Sequence, residues 1–203
     1  ESVPTWDYAP AIYGKPWVYS TVPNFGGRTL PAGNLEFYLN GHLNAINSPN
    51  RGNMVGIGTA PEGVENNEVV YELIFDAPWS SEKRDIKERL RDYSLARYGA
   101  YPQELEKFWD GMLNTAYRFS TSQGIYRVQR RPYAQRGGRY ELTPEYFRAL
   151  ESFIAASATL GKNEVYKRDL ALWAGFYTIG KAELLADEIE RCYKMGDKAG
   201  AAA

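Results

Sequence analysis

Glu62 stands between a proline and a glycine in Thr59-Ala60-Pro61-Glu62-Gly63, directly after the short apolar run Met54 to Ile57. Proline fixes the backbone on one side and glycine lets it turn sharply on the other, so a carboxylate framed this way is held in one direction. A preorganised carboxylate is what nucleophilic attack on an anomeric carbon needs. The same framing also describes an ordinary helix start, where glutamate favours the positive end of the dipole, and the residues alone leave both readings open. Glu65, Glu68 and Glu72 follow closely and compete for the role. Glu68 and Glu72 are four apart and share a helix face, where such a pair is solvated or partners basic residues. Two carboxylates on one short helix make a poor glycosidase pair, because retaining enzymes hold theirs about 5 to 5.5 Å apart, normally on different strands.

Other chemistries are narrowed by composition. The chain of 203 residues has one cysteine, Cys192, and one histidine, His42. An internal disulfide and Cys/His zinc clusters are therefore excluded, and any histidine-based triad hangs on a single residue. Lys plus Arg number 24 against 25 Asp plus Glu, so no net field draws nucleic acid or an anionic membrane. No apolar run reaches the roughly 18 to 20 residues that cross a bilayer. The start, ESVPTWDYAP, is not a signal peptide, and Glu1 is not a natural initiator, so a lost leader, a lost N-terminal region or both are expected. The ending, Ala199 to Ala203, reads as a tail or a truncated helix. The 16 tyrosines and 5 tryptophans suit sugar stacking, but most such rings are expected in the core.

The elements that must position Glu62 alternate. Trp17 to Val22 is rich in β-branched and aromatic residues and reads as a buried strand, broken by Asn24-Phe25-Gly26-Gly27. Asn34 to Ile46 has helical spacing in Leu35, Tyr38, Leu39, Leu43 and Ile46, although Gly41 weakens it. Met54 to Ile57 is a second strand, followed by the loop Gly58 to Gly63 and a helix facing a core with Val64, Val69, Leu73 and Ile74. Successive βα units imply parallel strands joined by right-handed crossovers. Two units cannot close a barrel and would leave strand edges bare, so further strands are expected upstream of residue 1 or in another chain.

From Ser81 onward the pattern is helical. Glu82 to Tyr98 ends at Gly99, and Pro102 to Tyr117 opens with proline and acids. Gly124 to Arg139 is a basic connection, carrying Arg127, Arg130, Arg131, Arg136 and Arg139, that is either solvated or folded back toward an anionic or polyhydroxylated ligand. Thr143 to Leu160 has a capping pattern and an apolar face of Phe147, Leu150, Ile154 and Ala158. Leu170, Trp173, Tyr177 and Leu184 mark a final long helix. The fold class is thus α/β then all-α, mostly helical overall. Residues 1–80 read as βα units of a barrel or an open α/β sheet and residues 81–203 as the beginning of an all-α domain; a family resemblance, carried by the motifs that follow, implies the last βα units of a (β/α)8-type barrel and the N-terminal part of a helical C-terminal domain.

The motifs Asn24-Phe25-Gly26-Gly27, Met54-Val55-Gly56, Ala60-Pro61-Glu62-Gly63, Asn67-Glu68-Val69-Val70-Tyr71 and Trp79, in this order and spacing, resemble the distal catalytic barrel of glycoside hydrolase family 89, the α-N-acetylglucosaminidases. Arg130-Arg131-Pro132, and more loosely Tyr166 to Leu172, resemble the start of that family's helical domain. The resemblance is dense over about residues 12 to 80 and thinner beyond. It implies retaining hydrolysis of terminal α-linked N-acetylglucosamine through a glycosyl-enzyme intermediate, with no metal and no organic cofactor. By the matching motif Glu62 falls on the nucleophile, Asn24 on a substrate-contacting loop, and Tyr19 on a strand position where a relative carries an aromatic residue lining the sugar pocket. Tyr19 as barrel filler and Asn24 as a turn cap remain the plainer alternatives.

The family's general acid/base glutamate belongs to an earlier strand with no counterpart here. The chain alone is therefore expected to be inactive and its parent protein active. The partners implied are a glycan ending in α-N-acetylglucosamine and the rest of the parent chain, in a lysosome, periplasm or extracellular space. Two non-enzymatic readings compete: a carbohydrate-binding module in which Glu62 only accepts hydrogen bonds, and a helical interaction domain with a vestigial βα start.

Overall fold

The computed structural model describes residues 6, 9–23, 31–62, 68–118, 142–197 and 200. The chain divides into two compact units. One takes the described residues of Glu1–Leu90 and Tyr117–Gln123, the other those of Arg91–Ala116 and Gly124–Ala203.

In the first unit, strand β1 (Trp17–Thr21) pairs in parallel with β2 (Met54–Thr59), with Tyr19 opposite Ile57 and Thr21 opposite Thr59. Helix α1 (Leu35–Ile46) makes the crossover, as a parallel pair requires. Its cap is Asn34, whose Oδ1 accepts from the Phe37 N–H at 2.9 Å. Helix α1 lies on the sheet face that carries Tyr19: the Tyr19 and Phe37 rings are 6.4 Å apart. Gly41, which weakens the helix on propensity, is explained by this layer. A Cβ there would meet the Phe37 ring at 2.8 Å and the Tyr19 hydroxyl at 2.9 Å.

The expectation of a wholly buried first strand does not hold. Val18 is 51% exposed and Val22 47%, and Ser20 is exposed as well. Among the described residues β1 and β2 pair only with each other, and the face that carries Val18 and Ser20 is exposed. Strand β2 runs two residues past Ile57 because Gly58, expected to open the loop, sits opposite Ser20 as Gly56 sits opposite Val18, and both glycines leave room for Val18. Helix α2 (Glu68–Asp76) buries Val69, Val70, Leu73 and Ile74. A short 3-10 turn, Ala77–Trp79, follows it, with Trp79 88% exposed.

Helix α3 (Ile86–Tyr98) starts four residues later than the periodicity suggests. Asp85 caps it, its Oδ1 accepting from the Glu88 N–H at 2.9 Å, while the Arg84 N–H is drawn to Asn40 Oδ1 at 3.0 Å. Helix α4 (Gln103–Asn114) stops three residues short of Tyr117. There the Thr115 hydroxyl donates back to the Gly111 carbonyl at 2.7 Å and the backbone leaves the helical region.

Helix α5 (Pro144–Ala155) is capped by Thr143 and breaks at Ala156 before the single turn α6 (Ser157–Leu160). The break changes the phase of the expected apolar face. Phe147 and Leu150 are buried and Ile154 is half-buried, but Ala158 is exposed, and Tyr146 and Phe153 complete the buried face instead. Helices α4 and α5 approach closely at Gly111, where a Cβ would lie 2.6 Å from that of Ala149.

Helix α7 (Glu164–Lys194) is capped by Asn163. Its first half closes a ring cluster in which the Phe108 centroid lies 4.8 Å from Phe153 and 4.9 Å from Trp173, while Phe153 stacks on Tyr166 at 5.1 Å. Leu184, expected on the core face, is exposed, as are Leu185 and Ile189. Seven tyrosines (Tyr19, Tyr38, Tyr93, Tyr98, Tyr117, Tyr146 and Tyr166) are buried, so ring packing is their main use.

Candidate active site

The parallel pairing sends the segments after β1 and β2 out of the sheet at the same end. The Thr21 carbonyl fastens that end by accepting from the Ala60 N–H at 2.9 Å and from the Thr59 hydroxyl at 3.0 Å. Glu62 follows two residues on, exposed and in a bend. Among the described residues its carboxylate has no hydrogen bond or ion pair. Pro23, just after β1, is buried. Asn24 lies outside the described residues, as do Gly63, Glu65 and the five arginines of the basic connection.

Tyr19 sits in the layer between the sheet and α1, 7% exposed, with Trp6 5.9 Å from its ring. Its hydroxyl has no hydrogen-bond partner, and burial pushes it up to about 12. It is therefore a neutral phenol at any physiological pH.

Of the competing carboxylates, Glu65 lies outside the described residues and Glu72 is engaged elsewhere. Glu72 accepts from Arg89 at 2.8 Å, the use expected of a carboxylate on an exposed helix face. Asp76 accepts from Arg84 at 2.5 Å and Arg89 at 2.9 Å. Burial alone would raise the Asp76 carboxyl, but the hydrogen bonds and charges of the two guanidinium groups overcome it and hold the group below its ordinary value of 3.8. A depressed folded value means that the pair's stabilisation is complete above the unfolded value and is lost as pH falls through the folded one. The chain is thus expected to lose stability below about pH 4 with a steeper slope than an Asp76→Asn variant, read as urea midpoints between pH 5 and 2. Identical slopes would rule out this cluster as an acid-sensitive tie.

Two contacts here were not readable beforehand. Thr59 lies beyond the expected end of β2, and Asn34 was placed inside the helix that it caps, although an asparagine before the first apolar residue is itself a start signal. Among the described residues no group of three or more His, Cys, Asp or Glu could hold a metal, and no helix is long and apolar enough to cross a membrane.

Two parallel strands joined by a crossover helix, with a carboxylate on the loop beyond the second strand, form the kind of βα unit from which (β/α) barrels are built. Residues 1–81 match the family model of the alpha-N-acetylglucosaminidase (NAGLU) tim-barrel domain, and residues 90–203 match that of the NAGLU C-terminal domain. The chain belongs to the α-N-acetylglucosaminidase family, glycoside hydrolase family 89.

It is 32% identical over 121 residues to the human (Homo sapiens) alpha-N-acetylglucosaminidase, spanning 59% of this chain and 16% of that protein. A family 89 glycoside hydrolase from Clostridium perfringens, solved with 2-acetamido-1,2-dideoxynojirmycin, superposes with a TM-score of 0.83 at 25% identity, covering 99% of this chain and 24% of that one. A doubly Glu-to-Gln-substituted family 89 protein from the same organism, bound to its substrate GlcNAc-alpha-1,4-galactose, shares the fold with a TM-score of 0.82 at 22% identity. It is covered to 24%, and this chain to 99%. The chain thus spans between a sixth and a quarter of the relatives that it matches.

Proposed function

We propose that the parent protein is a retaining glycoside hydrolase that releases terminal α-linked N-acetylglucosamine, with Glu62 as the nucleophile. The observation that carries this reading is the position of Glu62, exposed and without a partner among the described residues, three residues past the Thr21–Thr59 tie at the end of the sheet from which both loops leave. Family membership supplies the substrate class. The Clostridium relative that carries two Glu-to-Gln substitutions and holds its substrate fits a chemistry run by two carboxylates.

In this mechanism the Glu62 carboxylate attacks the anomeric carbon while a second carboxylic acid protonates the leaving oxygen. Water then releases the sugar, with the second group acting as base. That second group belongs to an earlier strand. Residues 1–80 therefore act as the distal barrel and residues 81–203 as the beginning of the helical domain, and the chain alone is inactive. Asn24 contacts the sugar. The burial of Tyr19 between sheet and α1 supports a role in setting the end of β1 rather than the ring-to-sugar contact implied by resemblance. The family reading places the parent in a secreted, periplasmic or lysosomal compartment.

The test is hydrolysis of an aryl α-N-acetylglucosaminide by the full-length parent beside this chain. The parent is expected to turn over and the chain to stay at the buffer rate. Turnover by the chain alone would mean that the acid lies within these residues, and an inert parent would sink the glycosidase reading.

A further inference from the structure

The two faces of the β1–β2 pair are unlike. Tyr19 turns to α1, so Val18 and Ser20, its neighbours in the alternation, take the opposite face, with Gly56 and Gly58 beside them in the parallel register. In a (β/α) barrel the helices form the outer ring, and the strand face turned away from them lines the interior. Ser20 is exposed on that face, and its hydroxyl has no hydrogen bond among the described residues. Of these four strand residues it alone has a polar side chain. It stands one residue before the end of β1, at the sheet end from which Glu62 leaves β2.

Gly58, opposite Ser20, is not required to be glycine by anything among the described residues. Its φ is not left-handed, and a Cβ there would meet the Val18 side chain alone, at 3.7 Å, an ordinary contact. Glycine inside a strand costs conformational entropy and often marks a place where a ligand or another backbone comes close. The gap beside Ser20 opens on the interior face, at the strand ends where barrel enzymes hold their substrates. We propose that Ser20 is a substrate-binding residue: its hydroxyl forms a hydrogen bond with a polar group of the sugar held for Glu62, and Gly58 leaves the space through which the sugar reaches it. The inference rests on the glycosidase reading of the parent. A packing role has a different signature. If another segment of the parent filled this gap, a methyl group added at Gly58 would collide with it and lower stability. With only a sugar there, the same methyl group would strengthen the strand and obstruct binding.

The experiment compares Ser20→Ala and Gly58→Ala in the full-length parent, with an aryl α-N-acetylglucosaminide as substrate. Ser20→Ala is expected to raise KM about 5- to 10-fold, the effect of one lost hydrogen bond, with kcat within about 2-fold and an unchanged melting temperature. Gly58→Ala is expected to raise KM at least as far, with a melting temperature equal to or above that of the wild type. A wild-type KM in either variant would overturn the proposal. So would a lower melting temperature in either one, which would make this face a packing surface for the rest of the parent. A wild-type parent without turnover would bring down the glycosidase reading and this role with it, whereas an active parent with indifferent variants removes this role alone.

Discussion

Glu62→Gln in the full-length parent is expected to lower kcat by at least about 10³-fold while leaving the protein as stable as the wild type. The amide has the shape of the carboxylate but neither its charge nor its nucleophilicity, so the first chemical step loses its attacking group. Stability should not change because Glu62 is exposed and has no hydrogen bond or ion pair among the described residues. KM for an aryl glycoside should move little if the carboxylate acts mainly after the sugar has docked. Matching melting temperatures and a collapsed kcat would together mark a chemical residue rather than a structural one. Turnover within about 10-fold of wild type would transfer the role to another carboxylate.

Asp169→Ala is expected to have the largest effect on stability. Asp169 on α7 accepts from Arg97 at 2.6 and 2.9 Å and from the Tyr98 hydroxyl at 2.7 Å, joining residues 72 positions apart. Its side chain is 9% exposed and that of Arg97 21%, so removing the carboxylate strands a guanidinium and a phenol with little water to replace it. Breaking such a pair costs about 3–5 kcal/mol. For a protein of this size that corresponds to a fall of roughly 10 °C in the transition that unfolds the helical unit. Tyr98 reports on the same cluster. Burial above all, then the charges of Tyr93 and Asp169, pushes its hydroxyl far above the usual tyrosine range. A variant that melts within about 2 °C of wild type would show that the pair contributes no more than an exposed one.

The parts of this architecture that were legible in the sequence are those set by local repetition. Leu35, Tyr38, Leu39 and Leu43 marked α1 and the β-branched and aromatic run marked β1, whereas the Pro-Glu-Gly turn left Glu62 open between a nucleophile and a helix start until the family resemblance singled it out. What escaped is set by partners far along the chain. Gly58 reads as the start of a loop until Ser20 is placed opposite it. The true start of α3 depends on Asp85 as cap and on Asn40 capturing Arg84. The break at Ala156 shifted the phase between α5 and α6 and left Ala158 exposed. The Asp169 cluster and the hydrogen bond from Asn34 to the Arg118 carbonyl join positions 72 and 84 apart, distances that no periodicity can report. For the site itself, the loop carrying Glu62 could be read directly. That Tyr19 turns toward the helix followed only from the pairing register with β2 and from the space above Gly41.

The most direct test of Glu62 as nucleophile is to trap the glycosyl-enzyme. The full-length parent is incubated with a slow-turnover fluorinated N-acetylglucosaminyl donor and digested, and the peptides are sequenced by mass spectrometry. The account predicts one sugar attached to the peptide containing Ala60-Pro61-Glu62-Gly63, at Glu62. A sugar on any other carboxylate of the active parent would contradict it.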